Sequence, residues 1–323
     1  MFDLIIIGGS AAATAAGIYA ARRGLKFKII TKDFGGEVST SGEIGNWPGD
    51  GMTDGITLAG KFKSHLDFYK ADMEDGIEVE SVSRMEDGNF CVKAKKDSPT
   101  KMASEKMPDG EGQAYKCDYT ARTVIVATGV HSRELNIPGE KEFRLKGVSY
   151  CTTCDGPIFK GRITVVIGGG NSALEAALML ADICPKVYVL NINPGFGGDR
   201  VLMDNLKSKP NAEVIYEADT KEIWGDKFVT GLRYDKNGSS HELKVDGIFI
   251  HIGMIPNSGV VPAGVKKNSF GEIEVNAVGE TNIPGLYAAG DVTNIPFKQI
   301  VISAGQGCTA LLSAVGYLNK IKS

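Results

Sequence analysis

Apolar and polar positions along the chain fall into two copies of one pattern. Leu4–Ile7 is a short apolar run with the length and branching of a strand buried on both faces. The segment "GGSAAATAAGIYAARRG" then reads as a tight turn entering a helix, and Lys26–Ile30 as a second strand. The same order returns with Arg162–Ile167 as strand, "GGGNSALEAALMLADIC" as turn and helix, and Lys186–Asn191 as the closing strand. Near the C-terminus Gly285–Ala289 reads as a strand ending at Gly290 and Asp291. A helix is expected from about Gln299, with Ala304, Gly305 and Gly307 on its closely packed side. This last piece carries no glycine loop of its own, so it is expected to fold back onto the first unit. Val124–Val130 and Gly247–Asn257 then enter and leave an inserted unit.

The predicted class is α/β, with two Rossmann-like, three-layer ββα dinucleotide-binding domains, the second inserted in the first. The expected boundaries are 1–130 with 255–323, and 131–254. A strand–glycine turn–helix start aims backbone N–H groups at a pyrophosphate. Gly168, Gly170 and Ala173 fill the three small positions of the second copy, with Asn171 and Ser172 between them. The first copy has Gly8, Ser10 and Ala13. One such loop also describes any tight β–α turn; two copies, each between strand and helix, point to dinucleotides. The polar stretch from Lys95 to Tyr115 reads as a mobile hairpin tip.

Composition narrows the setting. The chain has 323 residues, 42% hydrophobic and 23% charged, with a net charge of −3. Those values suit a soluble protein of two domains and give no reason to expect a nucleic-acid or membrane partner. The opening "MFDLIIIGGS" has no basic lead, and its apolar run is too short for a signal peptide or a membrane span. A cytoplasmic location is expected.

In a reducing compartment six cysteines do not make a disulfide scaffold. The motif Cys151-Thr152-Thr153-Cys154-Asp155 is therefore catalytic or metal-binding. Zinc requires four ligands. Cys91, Cys117, Cys184 and Cys308 are scattered, and His65, His131, His241 and His251 lack ligand spacing, so no metal site is predicted. A disulfide across two residues would stabilise little. A redox pair fits best, because the C-x-x-C arrangement lowers a thiol pKa and Asp155 can carry a proton.

The motifs "GGSAAATAAGIYAAR", "GGEVSTSGEIGNWPGD", "VIVATG", "CTTCDGPIFKG", "VVIGGGNSALEAA", "HIGMIPN" and "GLYAAGDVTNIPFKQIVISAGQG" run in one order through the chain. With them the chain resembles the low-molecular-weight thioredoxin reductases. It resembles still more the flavoprotein subunit of bacterial alkyl hydroperoxide reductase without its N-terminal domains. The resemblance implies an FAD-dependent disulfide oxidoreductase, a homodimer with FAD in the discontinuous domain and a pyridine nucleotide in the inserted one. By matching position, Gly8, Ser10, Ala13, Gly36, Glu37, Asn46, Thr128, Gly129, Gly290, Asp291, Lys298, Gln299 and Ile300 would meet FAD. Gly168, Gly170, Asn171, Ser172, Ala173 and Asn191 would meet the nucleotide. Cys154 would face the flavin, Cys151 would attack the substrate disulfide, and Asp155 would be the acid/base. One domain would rotate against the other between half-reactions.

Two departures stand out. Glu37 replaces the family's neutral amide, with an expected effect on the flavin's potential. "NINPGFGGDR", from Asn191 to Arg200, replaces the basic run that grips an NADPH 2′-phosphate, and Asn191 holds the place of the acid that grips an NAD ribose. The expected donor is NADH, then ferredoxin or flavodoxin, then NADPH. The expected partner is thioredoxin or a thioredoxin-like protein of a peroxiredoxin system. Competing readings are a ferredoxin-dependent thioredoxin reductase, an FAD-dependent dithiol oxidase, and a non-enzymatic FAD or zinc module.

Overall fold

A computed structural model describes residues 1–41, 43–95 and 117–322. The stretch Lys95–Tyr115, except for Lys95 itself, lies outside them. In chain order the elements are β1 (Phe2–Ile7), α1 (Ala11–Arg22), β2 (Phe27–Thr31), α2 (Gly55–Phe68), β3 (Met73–Asp75), β4 (Val79–Arg84), β5 (Phe90–Ala94) and β6 (Tyr119–Val126). Next come β7 (Val148–Ser149), the single turn α3 (Thr152–Asp155), β8 (Ile163–Ile167), α4 (Asn171–Ala181), β9 (Lys186–Asn191), α5 (Arg200–Lys207) and β10 (Ala212–Tyr216). The series ends with β11 (Asp219–Gly225), β12 (Val229–Lys236), β13 (Ser239–Lys244), β14 (Gly247–Ile250), β15 (Leu286–Ala288) and α6 (Ile300–Lys322). The chain divides into two units. One comprises residues 1–40, 47–131 and 255–323, the other 41–46 and 132–254.

In the first unit the strand order is β3-β2-β1-β6-β5-β4. β1 runs parallel to β2 and β6. The eight-residue β6 shares its other edge between antiparallel β5, at Tyr119–Ala121, and parallel β15, at Val124–Val126. Side chains alternate along β1 as a strand requires. Leu4 and Ile6 pack on one face with Ala12, Ala13 and Ala16 of α1 and Ala310, Leu311 and Ala314 of α6. Ile5 and Ile7 enter the opposite core with Phe90, Val92 and Val292. α1 is alanine-rich because α6 crosses it closely: a Cβ on Gly307 would stand 2.0 Å from the Ala12 carbonyl oxygen. Gly305, expected on the same packed side, is exposed. The buried face of α6 is instead Ser303, Gly307, Ala310, Leu311 and Ala314, the i, i+4, i+7 progression of a helix. By length and apolarity alone Ile300–Ile321 would suffice to cross a membrane.

The second unit has a parallel sheet ordered β7-β14-β8-β9-β10 and an antiparallel sheet β11-β12-β13. Val166, Val189 and Phe249 face Ala173, Leu174, Ala177 and Leu180 of α4. Val165, Ile167 and Ile248 face Ile223, Leu232 and Tyr234 of the antiparallel sheet. Helices, parallel sheet and antiparallel sheet thus make three layers.

Candidate active site

The redox turn lies within the second unit, immediately after β7. Cys151 is extended (φ −134°, ψ 97°) and N-caps α3, its Sγ accepting the Cys154 N–H at 3.2 Å. Cys151 and Cys154 are joined as a disulfide, with Cα atoms 5.3 Å apart. The buried Ser149 links this turn to the acid. Its hydroxyl donates to Asp155 Oδ2 at 2.6 Å and accepts the Cys151 N–H at 3.1 Å. The Asp155 N–H donates to the Cys151 carbonyl at 3.0 Å. Ser149 is a positioning residue that the motif alone does not announce; the signal for it was its place two residues before a C-x-x-C-D.

Tyr150, between Ser149 and the disulfide, donates to Glu140 Oε1 at 2.8 Å. Glu140 is fully buried and also accepts the N–H groups of Leu135 and Asn136. Burial and the Glu140 carboxylate push the Tyr150 phenol well above its usual range, so it stays protonated. On the other side of Cys151, Thr152 Oγ1 and His251 Nε2 share a hydrogen bond of 2.7 Å. Burial pushes the His251 pKa down to about 4, so its imidazole is neutral at physiological pH.

The same unit carries the second glycine loop. Gly168 (φ +152°) admits no side chain, since a Cβ would stand 2.2 Å from the His251 carbonyl oxygen. Gly170 N-caps α4 in extended conformation with open space where a Cβ would be, and Ala173 is buried below. This geometry suits a backbone-bound phosphate. Ser172 is exposed on the first turn of α4.

Two asparagines expected at the nucleotide are used by the protein itself. Asn191 is buried, its Nδ2 donating to the Gly195 carbonyl at 2.9 Å and its Oδ1 accepting the Asn193 N–H at 3.0 Å. Asn171 exchanges two bonds with Asp199, accepting from its N–H at 2.7 Å and donating to Oδ2 at 3.1 Å. A buried amide must be satisfied, and the loop supplies the partners. Both amides brace the loop, Asn191 from the end of β9 and Asn171 from the start of α4. Arg200 opens α5 with its side chain exposed and paired to Asp204 at 3.9 Å.

In the first unit Gly8 (φ +126°) lies against β6, where a Cβ would be 2.1 Å from the Ala127 carbonyl oxygen. Ser10 N-caps α1 without a side-chain capping bond, and Ala13 is buried. The turn at Gly36 (φ +52°) lies beside Ser10, and Glu37 follows in a single 3₁₀ turn, Gly36–Val38. The Gly290 N–H (φ +78°) donates to Gln306 Oε1, while Asp291 accepts from Ser303 Oγ at 2.8 Å. Burial pushes the Asp291 carboxyl above the usual range; Ser303 and Lys298 oppose this, and Glu37 adds to it. These features lie near one another: a Cβ on Gly36 would stand 3.5 Å from the Ser10 Cβ, one on Gly290 would stand 3.2 Å from the Ala12 Cβ of α1, and the Glu37 charge raises the Asp291 carboxyl.

Thr128 and Gly129 (φ +67°) are tied to Asn257, the Thr128 hydroxyl donating to its carbonyl at 2.8 Å and the Asn257 N–H to the Gly129 carbonyl at 3.0 Å. Gln299 and Ile300 form the start of α6. The Lys298 ammonium is bonded within the chain. It donates to the carbonyls of Asp291 and Thr293 and pairs with Glu272 at 2.8 Å, holding the loop before α6. Asn46 is exposed and groups with the second unit.

Cys91 and Cys117, read as scattered, are joined as a disulfide closing the excursion between β5 and β6. Their spacing is not a recognised motif, so only the strand pairing could have revealed it. Cys184 and Cys308 are free; burial raises the Cys184 thiol and leaves it inert.

Comparison with known proteins decides what this geometry belongs to. Residues 2–307 match the family model described as pyridine nucleotide-disulphide oxidoreductase. The chain belongs to that family. It is similar to an alkyl hydroperoxide reductase subunit of Escherichia coli, with 40% identity over 100% of this chain and 59% of that protein. It is similar to a Bacillus subtilis protein named NADH dehydrogenase, with 39% identity over 98% of this chain and 58% of that protein. The chain therefore spans about three-fifths of the length of these relatives. Among solved structures, the thioredoxin reductase of Streptococcus pyogenes has a TM-score of 0.86 at 30% identity, covering 99% of both chains. Its fold, shared at this TM-score over nearly the whole of both chains, agrees with membership of that family.

Proposed function

We propose that the chain is a protein-disulfide reductase. It takes electrons from NADH and passes them through FAD and the Cys151–Cys154 pair to thioredoxin or a thioredoxin-like partner of a peroxiredoxin system. The observation that carries this reading is the Cys151–Cys154 disulfide on a turn braced by Ser149 and Asp155, in the unit that also holds an open glycine loop. FAD is assigned to the sequence-based domain of residues 1–130 and 255–323, and the pyridine nucleotide to that of residues 131–254. The Gly8 loop, the Gly36 turn and the half-buried Asp291 fit a phosphate chain and a hydroxylated linker. A homodimer in the cytoplasm completes the reading.

When bound, FAD supplies the electron pair that reduces the Cys151–Cys154 bond. The remaining chemistry belongs to the chain. Cys151 Sγ⁻ attacks one sulfur of the substrate disulfide; that S–S bond breaks and its other sulfur leaves as a thiolate that takes up a proton. Cys154 then gives up its proton and attacks Cys151 Sγ, re-forming the internal disulfide and releasing the second substrate thiol. The cysteine pair is oxidised by two electrons and the substrate disulfide reduced by two. Asp155, hydrogen-bonded to Ser149 beside Cys151, is assigned the proton traffic.

NADH is favoured over NADPH because residues 191–197 include no cation. The Bacillus subtilis relative's name points the same way. Substitutions test the cysteine roles. Cys154→Ser is expected to trap oxidised thioredoxin on Cys151 as a mixed disulfide, whereas Cys151→Ser gives no adduct and a long-wavelength absorbance from a thiolate beside the flavin. Asp155→Asn is expected to slow dithiol formation by about 10²–10⁴-fold. Adducts on Cys154 alone, or undiminished turnover in Asp155→Asn, would overturn these roles.

A further inference from the structure

Thr152 and His251 take no part in the chemistry above, yet their side chains meet beside the redox cysteines at 2.7 Å. His251 follows β14, the central neighbour of β7 and β8 in the parallel sheet. Its N–H donates to the Ile167 carbonyl at 2.8 Å, and its own carbonyl packs under Gly168. The backbone of His251 is thus fixed at two points of the sheet end, and its ring is a rigid post. Thr152 itself is buried and is the first residue of the α3 turn. Its hydroxyl reaches the post, while the Cys154 N–H of the same turn reaches Cys151 Sγ at 3.2 Å.

We propose that His251 is a positioning residue for the redox pair, holding the Thr152 hydroxyl so that the turn keeps its shape when the Cys151–Cys154 bond is open. This inference rests on the reading of Cys151–Cys154 as a working redox pair. In the disulfide form the S–S bond itself fixes the two ends of the turn. In the dithiol form that tether is gone, and the turn is held by its hydrogen bonds alone. A bond anchoring Thr152 to the sheet therefore contributes more to the reduced form than to the oxidised one. It keeps the Cys154 N–H directed at the Cys151 sulfur, where a thiolate is a far better acceptor than a disulfide sulfur. A contact can shift an equilibrium only by the difference it makes between two states. The neutral imidazole suits the post, because a buried imidazolium would add its own desolvation cost to whichever form holds it.

The experiment equilibrates the FAD-loaded protein with dithiothreitol buffers of graded potential, quenches in acid, alkylates, and counts thiols on the Cys151–Cys154 peptide by mass spectrometry. His251→Leu and Thr152→Val are expected to shift the equilibrium about three- to tenfold toward the disulfide, the worth of one buried hydrogen bond. His251→Gln and Thr152→Ser, which keep a hydrogen-bonding atom at each position, are expected to stay within about twofold of the unsubstituted protein. If His251→Leu fails to fold, the Thr152 pair decides the matter alone. Folded His251→Leu and Thr152→Val proteins that match the unsubstituted one would overturn the proposal, since a contact serving the fold equally in both states moves no redox equilibrium. A pair in the unsubstituted protein that never takes up the label across the buffer range would instead remove the redox-pair reading, and this inference with it.

Discussion

His251 carries a second consequence at the residue scale. Its pKa is about 4 in the folded chain, against 6.5 for the free side chain, because the fold largely removes water from around its ring. Between those values the unfolded chain binds a proton that the folded chain does not, so stability rises with pH across this window and is lost as pH falls through it. Well above pH 6.5 the residue contributes no slope. At pH 5 the loss is about 2 kcal/mol relative to neutral pH. Urea unfolding at pH 7 and pH 5 should show it, and His251→Gln should lessen the difference by about that amount. An unchanged pH dependence in the variant would place the imidazole in water. The histidine was visible in the sequence only as one of four without ligand spacing. Its partner is Thr152, about a hundred residues earlier, and nothing local announces the pairing. Asn191 shows the converse. Its place at the end of β9 was legible, but the direction of its amide was set by the loop at Asn193 and Gly195.

At the scale of elements, the repeated strand–glycine–helix order located β1 with α1 and β8 with α4, because apolar periodicity and an obligatory glycine are both local signals. The packed face of α6 was misjudged at Gly305 because three small residues sit close together and only the crossing with α1 selects among them. The Cys91–Cys117 disulfide was likewise invisible. It depends on β5 and β6 lying side by side, a contact between segments separated by the polar stretch from Lys95 to Tyr115. Its cysteines are 26 positions apart, and closing a loop of that size removes unfolded-chain entropy worth about 3.5 kcal/mol. Cys91→Ala with Cys117→Ala should lower stability in denaturant titrations by roughly 2–4 kcal/mol. An equal stability in non-reducing buffer would mean that the bond does not form in the folded protein.

For the whole molecule the account turns on the route of electrons from a nucleotide to a protein disulfide. On the proposed reading the glycine loop at Gly168–Gly170 would hold the pyrophosphate, while the stretch from Asn191 to Gly197 carries no cation for a 2′-phosphate. On that reading, leaving that phosphate desolvated without a charged partner would cost on the order of 1–3 kcal/mol, which predicts about a ten- to hundredfold preference for NADH over NADPH. The measurement that tests the central claim most directly is an anaerobic one. The FAD-loaded protein is mixed with NADH or NADPH, flavin absorbance is followed by stopped flow, and the Cys151–Cys154 peptide is then alkylated and weighed. The account predicts that NADH bleaches the flavin about ten- to a hundredfold faster than NADPH and that both cysteines then carry the label. Flavin bleached by NADH over a pair that stays disulfide-bonded, or a flavin indifferent to both nucleotides, would contradict it.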